Sequence, residues 1–109
     1  MISDPPGRSY FEGILVAIRT AGQRMVAVGG YLGSAEQASI PAWKWQLLTA
    51  AQRAHGDALA RLDEAEERLL RLGSADELPA PLDQLPQRLR AMRADLRTAQ
   101  ERIQKAIDA

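Results

Sequence analysis

His55 is the only histidine, cysteine is absent, and the acidic side chains cluster just once, at Asp63, Glu64, Glu66 and Glu67. These facts bound the chemistry the side chains can perform. A lone histidine on a helix can accept a phosphoryl group, which makes a helical phosphotransfer or signalling domain using His55 the alternative reading of function. A phosphoacceptor must face solvent and needs a cationic neighbour, yet Gly56 follows His55 and no lysine lies within a turn. The favoured expectation is a core histidine packed against small Ala99. Helical metal sites usually join carboxylates to a histidine three or four residues away. None stands near the acidic run, so a solvated face is expected there. Ser9, Ser34, Ser39 and Ser74 fall at expected caps or loops, where backbone hydrogen bonding accounts for them. No nucleophile–base arrangement is evident. Accordingly no catalytic, metal or cofactor-binding residue is assigned, no cofactor or small-molecule substrate is expected, and the chain reads as a non-enzyme.

Binding is a better prospect than catalysis. Arg90, Arg93 and Arg97 share one outer face of the last helix and could grip an acidic partner. The stripe lacks interleaved aromatics for stacking bases, and Asp95 and Glu101 dilute it. Trp43 and Trp45 stand two apart, about 200° around a helix, so one face cannot bury both. One is expected to seal the end of the bundle. The other, with Tyr31 and Leu32 in a glycine-flanked connector, reads as an exposed anchor of the kind enriched at interfaces. Leu70 is the main apolar residue lying outside the expected seam in its part of the chain.

The elements that position these residues follow from heptads. Leu48, Ala51, His55, Ala58, Leu62, Ala65, Leu69 and Leu72 are spaced alternately three and four apart, and so are Leu82, Leu85, Leu89, Met92, Leu96, Ala99, Ile103 and Ala106. Folding the second run back on the first sets Leu69 against Leu85, Ala65 against Leu89, Leu62 against Met92, Ala58 against Leu96 and His55 against Ala99. Alanine opposite a larger residue lets two helices approach closely and still fill the space. The spacing predicts an antiparallel, coiled-coil-like hairpin of about residues 41–72 and 83–108. Pro41 opens its first helix and Gly73 ends it. Flanking positions then bring Glu66 toward Arg93 and Arg61 toward Asp95, and place Arg68 near Arg88.

The N-terminal part is more ambiguous. Ser9 and Glu12 have capping-box spacing, and Phe11, Ile14, Ile18, Ala21, Met25, Val28 and Leu32 sit at heptad spacing, predicting a helix of about 10–29 that completes a three-helix bundle. Gly29-Gly30 is expected to end it. The rival is a β-hairpin over about 13–31, suggested by alternating Ile14, Val16, Ile18 and Thr20. Residues 1–8 read as a flexible lead-in to a single helical domain, 1–109. The N-terminal element is expected to cover the hairpin at Trp43, Leu47 and Ile107, leaving the loop half as a bare two-helix arm.

Composition narrows the partner classes. Net charge is +0, with fourteen basic and fourteen acidic residues, and the balance holds locally along the chain. Nucleic acid is therefore not expected as the main partner. The longest large-apolar run, Ile14 to Ile18, falls far short of the roughly 20 residues that cross a bilayer, so no membrane partner is expected and a cytoplasmic location is. The function these readings favour is a non-enzymatic helical protein–protein interaction module. Such a chain would act as adaptor, assembly factor or structural subunit, binding protein partners or copies of itself as a homo-oligomer.

Overall fold

The computed structural model describes residues 6–73, 78, 80 and 82–109, with side chains described from Phe11 onward. Among the described residues three α-helices run α1 Pro6–Gln37, α2 Pro41–Leu72 and α3 Leu85–Asp108, with a 3-10 turn at Leu82–Gln84 leading into the last. There is no strand among the described residues, so the rival β-hairpin over 13–31 is overturned. That whole segment is helical.

The first helix is longer than its glycines suggest. It begins at Pro6, a turn before the expected start, which puts Ser9 inside the helix rather than at its cap, and it runs through Gly29, Gly30 and Gly33 to Gln37. Each glycine costs a helix about 1 kcal/mol relative to alanine. Against that cost, the same segment buries Val28, Leu32 and Ala35 almost completely, and a buried valine or leucine contributes about 1.5–3 kcal/mol. Burial wins, and the expected connector from Tyr31 onward is the last two turns of α1.

The second helix has the expected bounds. Ile40, in extended conformation, is its N-cap and Pro41 fills the first position, where the missing N–H is not needed. Lys44 N–H donates to the Ile40 carbonyl at 3.0 Å. At the other end Gly73 has φ 140°, a region that L side chains rarely enter, and its N–H donates to the Leu70 carbonyl. Glycine therefore stops this helix as the sequence predicts. Leu82–Gln84 winds more tightly than expected before α3, and Pro86 sits in the first turn of that helix.

The seam between α2 and α3 is present. Leu48, Ala51, His55, Ala58, Leu62, Ala65 and Leu69 are buried on α2, and Leu85, Leu89, Leu96 and Ile103 on α3. It ends one layer early, because Leu72 is 37% exposed. The packing of α1 differs from expectation. Ile14, Ala17, Ile18 and Ala21 share a core with Ala58, Leu62, Ala65, Leu69, Leu78, Leu85, Leu89 and Leu96. Val28, Leu32 and Ala35 share a second core with Leu48, Ala51, Ala54 and Ile103. The helix thus lies antiparallel along the whole of α2 and covers both halves of the hairpin. There is no bare arm; α1 packs on α2 more extensively than α3 does. Alanines on both sides of that contact allow the close approach.

Candidate functional site

His55 belongs to the seam. It is 7% exposed, and its Nε2 lies 2.9 Å from the Leu96 carbonyl oxygen. A carbonyl only accepts, so Nε2 donates in this bond. Helix carbonyls point toward the C-terminus, which brings the Leu96 oxygen up to the level of Ala99, the partner expected for His55. With its ring enclosed and Nε2 engaged, His55 lacks the solvent-facing geometry a phosphoacceptor requires.

The arginine stripe is split by the fold. Arg93 reaches across to α2, donating from Nε to Glu66 at 2.9 Å and from Nη2 to Asp63 at 2.5 Å. The hydrogen bond to Asp63, aided by Glu66, raises its pKa above the ordinary arginine value against the opposing pull of burial. The expected Glu66–Arg93 contact is present. The expected approach of Arg61 to Asp95 is replaced by a pair with Glu64 at 2.8 Å. Arg68 also turns to Glu64, at 3.0 Å, rather than standing against Arg88. Arg90 and Arg97 remain exposed on α3, with no ion pair among the described residues. A further pair, Arg102 to Glu36 at 2.6 Å, ties α3 to α1.

Two of the expected interface residues meet at one notch. Leu70 and Arg90 line an apolar recess of about 210 Å³ between α2 and α3, together with Glu66, Leu69, Gly73, Leu78, Pro86 and Leu89. Leu70 is 68% exposed beside it. Leu78 and Pro86 escaped the sequence reading because their place depends on how the chain passes from α2 to α3. Proline in a first turn was the one available signal.

The other expected residues lie toward the opposite end. Trp43 and Trp45 are 61% and 59% exposed, and Tyr31 and Ile40 are exposed near them in sequence order around the α1–α2 turn. Neither tryptophan seals the bundle, contrary to expectation; Leu48 and half-buried Leu47 and Ile107 fill that role. Trp45 instead borders a recess of about 350 Å³ with Ser39, Pro41, Lys44, Leu48, Ala106 and Ile107. Leu32 is fully buried, so it leaves the set of residues a partner could touch. Its removal follows directly from the extra length of α1.

A third feature was not foreseen. Thr20 and Arg24 of α1 face Asp57, Arg61, Glu64 and Arg68 of α2 across an open groove of about 500 Å³. Its charges largely answer one another through Glu64. Among the described residues no three His, Cys, Asp or Glu side chains are grouped to hold a metal ion, and no helix is long and apolar enough to cross a membrane. Comparison of the chain with protein-family models, with curated proteins and with solved structures gave no match.

Proposed function

We propose that this chain is a non-enzymatic helical protein–protein interaction module, an adaptor, assembly factor or structural subunit that engages protein partners, copies of itself included. The observation that carries this reading is the exposure of both tryptophans, 61% and 59%, on the first turns of α2. An aromatic ring left in water forgoes a large favourable burial, and tryptophan is among the residues that dominate binding energy when an interface covers them. Both cores of the bundle are built without them, so folding alone gives no reason for two indoles at this end. A cytoplasmic setting is consistent with the cysteine-free sequence.

The test is affinity capture by the full chain from its source cells, paired with solution mass by light scattering. The Trp43→Ala/Trp45→Ala double variant is expected to keep its helical signal and thermal transition while losing captured protein. A wild-type chain that stays monomeric and captures nothing would overturn the reading.

A further inference from the structure

Around the apolar notch, charge is segregated by helix. The outer flank of α2 carries Asp63, Glu66 and Glu67, and the adjoining flank of α3 carries Arg90, Arg93 and Arg97, with acidic Glu101 one turn beyond Arg97 on the side away from the notch. The two rows lie side by side, as the bonds from Arg93 to Asp63 and Glu66 require. Arg90 and Arg97 have no ion pair among the described residues, and Glu67 holds only an exposed pair with Arg71 on its own helix. Exposed Leu70 stands at one end of this face, on the rim of the notch.

We infer that this α2–α3 face is the docking surface for a second copy of the chain, related by a two-fold axis running along the helices. This rests on the interaction-module reading and names one partner within it. Symmetry makes the choice. A face meeting itself about an axis parallel to the helices sets α2 of each copy against α3 of the other, so the acidic row meets the basic row twice. An axis across the helices would set α2 against α2 and α3 against α3, opposing like charges, which is costly at an interface. In the parallel arrangement Arg90 of each copy falls within a helical turn of Glu67 in the other, and the two Leu70 side chains close over the notches.

The area is adequate. Two adjacent helices, each about 10 Å across, form a strip about 20 Å wide, and the 24 residues of α3 give it a length of about 36 Å at 1.5 Å per residue. That is roughly 700 Å² per copy, close to the roughly 800 Å² per partner of a standard interface. With one leucine anchor in a largely polar face, the dimer is a weak one, with a Kd in the micromolar range.

Sedimentation equilibrium of the full chain across roughly 1 µM to 1 mM tests this. The wild type is expected to pass from 11.9 kDa to twice that mass. Leu70→Glu, Arg90→Glu and Glu67→Arg, all at exposed positions, should each raise the dimer Kd about tenfold or more, with circular dichroism unchanged. Mixing the Arg90→Glu and Glu67→Arg chains should restore association to near the wild-type value, because both cross-pairs become attractive again. A wild type that stays monomeric overturns the inference. So does a dimer undiminished by Leu70→Glu and Arg90→Glu, or a mixture that fails to recover. These variants leave the tryptophan end intact. A monomeric chain that still captures protein through Trp43 and Trp45 would therefore sink the dimer and spare the interaction-module reading.

Discussion

His55 illustrates how much a single side chain can fix. Its hydrogen bond to the Leu96 carbonyl joins α2 to α3 inside the seam, where a slip of one turn would leave a buried nitrogen without its acceptor. Replacing it with phenylalanine keeps a ring of similar size and removes the donor. A net hydrogen bond of this kind contributes about 1 kcal/mol, so His55→Phe is expected to lower the free energy of unfolding in urea by about that amount. An unchanged midpoint would show that the bond contributes nothing to the pairing. Arg93 plays the complementary part outside the core, holding Asp63 and Glu66 from the other helix. It is about one-third exposed, so solvent screens much of its contribution. The Glu66 contact was legible from heptad flanks alone. Asp63 was not, because an arginine long enough to span a turn can choose between two carboxylates.

Among the helices, α1 poses the sharpest question. A methyl group at Gly29 or Gly30 would meet nothing within 4 Å, and neither residue has positive φ. Alanine at each should therefore stabilise the fold by about 0.5–1 kcal/mol, read as a raised thermal midpoint. Gly73 is the contrast. Its φ of 140° penalises any side chain, and Gly73→Ala should cost about 1–3 kcal/mol. Equal effects at the two kinds of site would mean that backbone conformation does not govern them. The same comparison explains what the sequence made readable. Pro41, Gly73 and the leucine–alanine heptads mark α2 and α3 because propensity, capping and burial agree there. In α1 they disagree: glycines signal an end at residue 29 while Leu32 and Ala35 continue the buried face. Only the tertiary contact with Leu48 and Ile103 decides between them. Misplacing that end put Leu32 on the surface and left the hairpin half bare.

For the molecule as a whole, α1 is the element the rest cannot spare. It runs through both cores, and a chain lacking residues 1–38 would expose the apolar flank of α2 from Leu48 to Leu69. Two helices alone bury too little surface to fold cooperatively. Such a truncation should show no sigmoidal thermal transition at low concentration; a sharp one would mean that α2 and α3 suffice. The candidate surfaces were only partly readable at this scale. Leu70 and Arg90 were each foreseen, and their meeting at one notch depends on Pro86 and Leu78, which no periodicity links to them. The position of the indoles has one more consequence. Because Trp43 and Trp45 are the only two in the chain and both stand near the same pole, the protein's native ultraviolet emission is an optical reporter for that pole alone. It should shift when something covers the α1–α2 turn or the recess that Trp45 shares with Ala106 and Ile107, and an unchanged spectrum would confine any contact to the notch end of the molecule.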